Sequence, residues 1–232
     1  MAKRYWWVII AYFIMQYSNL IVVPPLLKWL PFENATIVVY YSIFAFIACL
    51  IAVLFLMKPD MKAGVDENAT GAESTIMWII VGVFMAFLGQ GIAGAIELYV
   101  FNVETQSENT RFITEIAKLF PAFIIITTLI APILEEIIFR KIIFGTLYKR
   151  TNFFVAAILS ALAFGFIHGE PEHILVYSSM GLVFAFLYVK TKRILVPIAV
   201  HMLMNAIALY FNFNLPEDIQ QKTQVILHLF GG

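Results

Sequence analysis

Apolar runs separated by short polar segments make up most of this sequence. A helix needs about 20 apolar residues to cross the roughly 30 Å hydrocarbon core of a bilayer, and most of these runs approach that length. We therefore predict an all-α fold, namely a polytopic membrane helix bundle of about seven spans. The predicted spans are residues 5–30, 37–57, 76–100, 121–148, 152–168, 173–189 and 194–213.

Prolines and polar residues interrupt this pattern at a few places. Pro24 and Pro25 are expected to kink or end the first span, because proline removes a backbone donor and clashes with the preceding turn. Pro132 is expected to bend the fourth span for the same reason. Residues 112–120 follow a polar loop and alternate between apolar and charged positions, which predicts a short amphipathic helix at the membrane interface.

The order of the spans suggests a simple organisation of the chain. We expect residues 1–120 to hold the first three spans and residues 121–213 to hold spans four to seven, with an amphipathic tail at 214–232. The candidate chemistry described below falls in the second of these parts. An active-site cavity would then be lined by spans four to seven, within one folded unit.

Composition and charge support a membrane location. Hydrophobic residues make up 62% of the chain and charged residues 13%, against roughly 25% charged in soluble domains. The formal net charge is zero, so we expect the lipid bilayer and no nucleic acid as partners. Basic residues cluster on alternate connections, at 3–4, 58–62, 149–150 and 190–193, which predicts a cytoplasmic amino terminus.

The fourth predicted span carries two adjacent carboxylates and a guanidinium inside an otherwise apolar run. A charge at the centre of a membrane helix costs roughly 2.5 to 3.5 kcal/mol, so it normally faces the protein interior and has a function there. Glu136 and Arg140 are four residues apart and therefore share a helix face. We infer that Arg140 neutralises and orients Glu136, which leaves Glu135 for chemistry. A purely structural charge cluster is the alternative.

Two further polar motifs lie in later apolar spans. His168 ends its span one turn after Phe164, and His201 and Asn205 project from one face of the seventh span. Alone, these residues are more typical of an interfacial histidine and of an interhelical hydrogen bond. Counting residues from the predicted loops places His168 near the outer end of its span and His201 about two turns from the inner end of its own. The two histidines are therefore predicted at different depths in the membrane.

Taken together, these groups have the equipment for peptide-bond hydrolysis. A desolvated carboxylate and an imidazole can position and deprotonate a water molecule, and a second imidazole with an amide can stabilise the oxyanion. The competing use of two histidines and a carboxylate is a zinc site. No His-Glu-x-x-His motif is present, and an amide such as Asn205 is a poor zinc ligand, so we expect no cofactor.

Other ionisable residues are interpreted as ordinary. Glu97, near the end of the third span, is expected at the membrane interface. Glu172 and His173 lie in a short turn and are expected to be solvated, with a gating or substrate contact as the alternative.

The three motifs also resemble a known family. Glu-Glu-x-x-x-Arg at 135–140, Phe-x-x-x-His at 164–168 and His-x-x-x-Asn at 201–205 are similar to the motifs of the CPBP intramembrane proteases, also called the Abi or type II CAAX prenyl endopeptidase family. All three motifs are complete, and with the intervening spans they cover about residues 121–210. The whole chain is similar to small Bacillus-type and staphylococcal members, which implies a bacterial cell membrane.

The resemblance implies an endopeptidase of the glutamic type that works without a metal. Glu135 with His168 would activate the water, and His201 with Asn205 would form the oxyanion hole. The implied supporting residues are Glu136, Arg140 and Phe164. The substrate would be a membrane-associated peptide or protein, such as a CAAX-type, signalling or bacteriocin-like peptide.

Two other functions are compatible with the same sequence. A non-proteolytic scaffold that regulates a partner envelope enzyme would keep the motifs only for structure. A proton-coupled transporter would use the intramembrane carboxylates as a relay, but it would be expected to show internal repeats, and the sequence shows none.

Overall fold

The computed structural model describes residues 1–103 and 107–214, and nearly all of these residues are helical. No strand occurs in that part of the chain, so the all-α prediction is confirmed. The predicted tail from residue 215 onward lies outside the described residues.

Seven helices of at least ten residues are described. They are α1 Lys3–Trp29, α2 Asn34–Lys62, α3 Ala72–Phe101, α4 Glu108–Leu119, α8 Phe153–Phe166, α9 Ile174–Thr191 and α10 Leu195–Asn214. Between α4 and α8 lie α5 Phe123–Ile125, a π-helical segment Ile126–Ile130, α6 Ala131–Glu136, a second π-helical segment Ile137–Phe144 and α7 Gly145–Tyr148. A short 3₁₀ turn, Pro171–His173, precedes α9.

Five of the described helices are long and apolar enough to cross a membrane. They are α1, α2, α3, α10 and the stretch Pro171–Thr191 that contains α9. By contrast, α8 has 14 residues, or about 21 Å, which is shorter than the hydrocarbon core. The prediction of a polytopic helical membrane protein is confirmed, although the predicted fifth span is shorter than expected.

Helix α1 does not end at its two prolines. It continues through Pro24 and Pro25 to Trp29. Prolines are tolerated in membrane helices because neighbouring helices and side chains satisfy the backbone groups that a proline leaves unpaired. The helical axis therefore extends one turn beyond the positions where the sequence suggested an end.

Contacts between helices divide the chain into two compact units. The first comprises Met1–Gly64 and Ile116–Leu134, and the second comprises the described parts of Val65–Glu115 and Glu135–Gly232. This division differs from the one suggested at residue 120, which stays a prediction. All of the candidate site residues belong to the second unit.

In the first unit, α1 and α2 form an antiparallel hairpin. Arg4, at the start of α1, donates to Asp60 at the end of α2 across 2.7 Å, and the hydroxyl of Tyr5 donates to the same carboxylate. Farther along the hairpin, Asn19 donates to Ser42 across 3.3 Å. The beginning of α1 and the end of α2 therefore lie at the same end of the hairpin. Two successive membrane spans require this arrangement, because successive loops lie on opposite sides of the membrane.

In the second unit, two predicted cytoplasmic connections meet. Arg193 donates to the Thr70 carbonyl across 2.6 Å, and Thr70 donates its backbone N–H to the Thr191 carbonyl across 3.1 Å. Lys192 also lies 3.5 Å from Asp66. The loop after α2 and the turn before α10 thus share one side, while the absolute orientation of the amino terminus stays a prediction.

Helix α9 packs between α3 and α8, and small residues allow the close approach. At Gly181 of α9, a Cβ atom would lie 2.8 Å from both Cα and Cβ of Ala161 on α8. Real Cβ atoms do not approach a neighbouring backbone so closely, so only glycine fits at this crossing. The close approach holds α8 and α9 together directly beside the candidate site.

We expect Gly181→Ala to destabilise the protein by about 1 to 3 kcal/mol, because the added methyl must push α8 and α9 apart. Thermal unfolding in detergent, followed by far-UV circular dichroism, measures this change. Gly89→Ala is the matched control, since a Cβ there would lie an ordinary 3.6 Å from the Ser179 hydroxyl. Equal unfolding midpoints for the two variants would contradict the assigned crossing.

Candidate active site

The acidic pair lies at the end of α6, where the helix changes to its second π-helical segment. Such π segments are frequent at functional sites. Here Ser160 of α8 donates to the Phe139 carbonyl across 2.7 Å, so one backbone oxygen of the widened turn has a partner from the neighbouring helix. The local change in helical pitch is therefore supported by packing against α8.

Glu136 and Arg140 form a buried ion pair, as their four-residue spacing predicts. Arg140 Nε lies 2.9 Å from Glu136 Oε2, and both side chains have no exposed surface. The guanidinium also lies 4.6 Å from the centre of the Phe164 ring and 5.3 Å from that of Phe184. Aromatic faces attract a cation at such distances, most strongly when water is excluded. Glu136 is thus neutralised and held in place.

His201 of α10 lies between the two carboxylates. Its Nδ1 is 3.1 Å from Glu136 Oε1, and its Nε2 is 3.7 Å from Glu135 Oε2. Glu136 pairs with Arg140 through its other oxygen, Oε2, and an ionised carboxylate can only accept hydrogen bonds, so Nδ1 of His201 donates to Oε1 and Nε2 faces Glu135. The ring stacks on Phe184 at 5.1 Å. The sequence did not predict this bridging position.

Glu135 differs from its neighbour in access. Its side chain is 14% exposed, whereas that of Glu136 is completely buried. The carboxylate without an arginine partner is therefore the one that a substrate or water molecule can reach. The pairing of Glu135 with His168 stays a prediction, and the structure adds the His201 imidazole, whose Nε2 lies 3.7 Å from the Glu135 carboxylate.

His168 is fixed by its own helix end. Its Nδ1 lies 2.8 Å from the Phe164 carbonyl, which can only accept, so Nδ1 carries the proton and Nε2 of the neutral ring is the accepting nitrogen. The ring meets Phe164 edge-on at 4.8 Å and stacks on Tyr177 at 4.0 Å. This orientation leaves a proton-accepting edge available.

Phe164 connects the two imidazoles. Its fully buried ring lies 4.8 Å from His168 and 5.7 Å from His201. The conflict between their predicted depths therefore does not arise, because α8 is short and ends beside the middle of α10. Asn205 follows His201 by one turn of α10 and is half-buried. The elements that meet here correspond to predicted spans four to seven.

A second buried carboxylate was interpreted wrongly from the sequence. Glu97 is 1% exposed, so protein surrounds its carboxylate, which is not solvated as the predicted interfacial position implied. It accepts the backbone N–H groups of Leu175 and Val176, in the first turn of α9, across 2.9 and 3.1 Å. His173, predicted to be solvated, is 4% exposed and lies 3.0 Å from the same carboxylate. Glu97 thus caps α9, since a helix amino terminus favours a negative charge.

Glu170 is also buried, in the turn between α8 and α9. It accepts hydrogen bonds from the Tyr177 and Ser107 hydroxyls at 2.6 and 2.8 Å and from the Asn109 backbone N–H at 2.8 Å. The buried role of Glu170 was not predicted from the sequence. The burial of Glu97 could have been predicted from helical spacing, because it lies four residues after Ala93 on the face of small residues that packs on α9. No comparable spacing indicated that Glu170 is buried.

Comparison with known proteins agrees with the motifs. A family model described as type II CAAX prenyl endopeptidase Rce1-like matches residues 117–207. A Bacillus subtilis protein named membrane peptidase YdiL is 42% identical, with 100% of this chain and 99% of the relative covered. The membrane-embedded CAAX protease MroQ of Staphylococcus aureus is 29% identical over 96% of this chain and 95% of its own. No solved structure matches the chain.

The fold and the site define a multi-pass membrane protein in which two carboxylates, an arginine and two histidines are gathered among apolar helices. The chain belongs to the Rce1-like CAAX protease family. Membership in this family supports a membrane protease activity.

Proposed function

We propose that the protein is an intramembrane endopeptidase that hydrolyses a peptide bond in a membrane-associated peptide or protein by means of a glutamate-activated water. The observation that carries this proposal is the division of labour between the two carboxylates. Glu136 is neutralised by Arg140, while the partly exposed Glu135 faces the Nε2 atom of His201 at 3.7 Å. One carboxylate is therefore available as a base beside a fixed imidazole.

The proposed reaction begins with a water molecule at Glu135. Glu135 takes one proton as the water oxygen attacks the scissile carbonyl carbon, and His168 Nε2 is a second acceptor for orienting the water. The negative charge that develops on the carbonyl oxygen is stabilised by His201 in its doubly protonated form and by the Asn205 amide. Collapse of the intermediate breaks the C–N bond, and Glu135 delivers its proton to the leaving amine.

The substrate class follows from where the site lies. The helices around Glu135 expose large apolar side chains on their outer faces, as membrane-embedded helices do, so the substrate is one that partitions into the bilayer. A CAAX-type, signalling or bacteriocin-like peptide has this property. The staphylococcal relative is named a CAAX protease, and we propose a protease activity for this chain as well.

The proposed chemistry is independent of a metal. His201 Nδ1 already donates to Glu136, and within the described residues no three His, Cys, Asp or Glu side chains are placed to hold one ion. We therefore expect the rate of cleavage by the purified protein to change less than about twofold on treatment with phenanthroline or EDTA. Removing a metal ion that assisted the reaction would instead cost several kcal/mol of transition-state stabilisation. Loss of activity that zinc restores would contradict this mechanism.

The function is tested by comparing membrane peptides. Cells that produce the wild-type protein and cells that produce Glu135→Gln at the same level are extracted, and their membrane peptides are compared by mass spectrometry. We expect precursors to accumulate in the variant and their cleaved products to be absent. Identical peptides, together with a partner enzyme that co-purifies with both forms, would favour the scaffold function instead.

A further inference from the structure

A continuous set of contacts leads from His168 to a buried carboxylate two residues away. We propose that Tyr177 and Glu170 are positioning residues that hold the His168 imidazole in its working orientation. The inference deepens the proposed function and rests on it, because it assigns residues that act through His168.

The first contact is the stack of two rings. The His168 and Tyr177 rings are 4.0 Å apart between centres and inclined by 19°, so Tyr177 covers one face of the imidazole. The Phe164 ring meets the imidazole at a steep 69°, and the Phe164 carbonyl accepts from Nδ1. The hydrogen bond fixes the direction of the ring and the stack fixes its plane. The Nε2 edge is the part that stays available for chemistry.

The second contact fixes Tyr177 in turn. Tyr177 is 8% exposed, and its hydroxyl donates to Glu170 Oε2 across 2.6 Å. Ser107 donates to the same oxygen and the Asn109 N–H to the other. Burial raises the pKa of Glu170, but these hydrogen bonds outweigh it and hold the pKa below its ordinary value. Glu170 is therefore an ionised acceptor with hydrogen bonds on both of its oxygens, and it keeps the Tyr177 hydroxyl in one place.

The backbone between His168 and Glu170 allows both side chains to take these positions. Gly169 has a φ of +75°, a conformation that other residues adopt only with strain. The chain reverses there, so Glu170 reaches Tyr177 from beyond the end of α8 while His168 stays beside Phe164. The three residues 168–170 thus form one structural unit with the first turn of α9.

The same carboxylate anchors the start of α4. Ser107 accepts the Thr110 N–H across 3.0 Å as an amino-terminal cap, and Glu170 takes the Asn109 N–H. A displacement of the first turn of α4 would therefore pull on Glu170 and, through Tyr177, on His168. Beyond the stack of the two rings, every contact from Tyr177 to Glu170 and on to α4 is a hydrogen bond. These directional contacts distinguish the proposed positioning role from simple core packing.

Variants at Tyr177 and Glu170 test the proposal with a substrate found by the membrane-peptide comparison. We expect Tyr177→Leu to lower kcat by about 10- to 100-fold, the loss typical of a misplaced catalytic group, with KM changed less than about twofold. Tyr177→Phe keeps the stack but loses the hydrogen bond to Glu170, so it should recover part of this loss and leave a measurable decrease in kcat. Tyr99→Leu, at a 72% exposed tyrosine of α3, is the matched control and should retain wild-type kcat.

A double-mutant cycle tests the order of the contacts. Glu170→Gln should lower kcat in the wild-type background but have no further effect on kcat in Tyr177→Phe, because Glu170 acts on His168 only through the tyrosine hydroxyl. Equal effects of Glu170→Gln on kcat in both backgrounds would overturn the proposed order of contacts. Nuclear magnetic resonance of isotope-labelled histidine gives a second measurement: the part of the His168 ring-current shift that comes from Tyr177 should be lost in Tyr177→Leu and persist in Tyr177→Phe, while the part from Phe164 stays in both.

The failure of this inference and that of the proposed function are distinguishable. If His168→Ala cleaves like the wild type, the role of His168 is wrong and the proposed function must be revised. If His168→Ala is inactive while Tyr177→Leu keeps wild-type kcat, only the positioning inference is overturned. If the wild type cleaves nothing, both fail.

Discussion

Glu135→Gln is expected to lower kcat by roughly 10³-fold, within the range for loss of a general base, while the protein stays folded and membrane-inserted. The amide keeps the size of the side chain but takes no proton from water. Glu135 is 14% exposed, and its ion-pair partner among the described residues, His201, also pairs with Glu136, so losing the Glu135 charge does not leave that imidazole unpaired. The measurement is kcat with purified protein in detergent, together with its thermal unfolding midpoint.

Two control variants make this result specific. Glu172→Gln removes a carboxylate from an exposed position near the site and should leave kcat unchanged. Glu135→Asp keeps the carboxylate but withdraws it by one methylene, so partial activity is expected. Wild-type rates in Glu135→Gln would mean that another group activates the water, and the proposed mechanism would then be abandoned.

The parts of this site that could be predicted were those set by one helix. The spacing of Glu136 and Arg140 places them on one face whatever the surrounding fold, and the observed 2.9 Å ion pair follows from it. Long apolar runs likewise predicted α1, α2, α3, α9 and α10, because burial of a backbone in lipid leaves the helix as the usual solution.

The parts that could not be predicted depend on contacts between helices. The position of His201 between two carboxylates requires the register of α10 against the second π-helical segment, and no periodic pattern reports a register. Glu97 was assigned to the interface because a charge near a span end usually reaches water. In the structure the end of α3 is covered by the turn before α9, which brings His173 to it.

The buried groups of the site form one electrostatic unit. Arg140 neutralises one carboxylate, and that carboxylate orients His201, whose other nitrogen faces the second carboxylate. A charge gathered among apolar helices is stable only with such partners, because the desolvation of an unpaired ion costs several kcal/mol. The stability of the bundle and the orientation of its candidate catalytic imidazole therefore depend on the same guanidinium.

Arg140→Met is consequently expected to destabilise the protein by about 3 to 5 kcal/mol, the usual cost of removing one partner of a buried ion pair. Methionine fills much of the space between the aromatic rings, so the loss reports mainly the unpaired Glu136. Thermal unfolding in detergent measures it. Arg111→Met is the control: Arg111 also pairs with a glutamate four residues away, but its side chain is 63% exposed, so we expect no measurable change.

The double variant Arg140→Met, Glu136→Gln separates charge from packing. It removes both charges and keeps an oxygen that accepts from His201 Nδ1, so it should be more stable than Arg140→Met alone. Its kcat should stay low, because the amide is a weaker acceptor than a carboxylate and holds the imidazole less firmly. If Arg140→Met unfolds at the wild-type temperature, Glu136 does not carry a buried charge and the electrostatic unit described above does not exist.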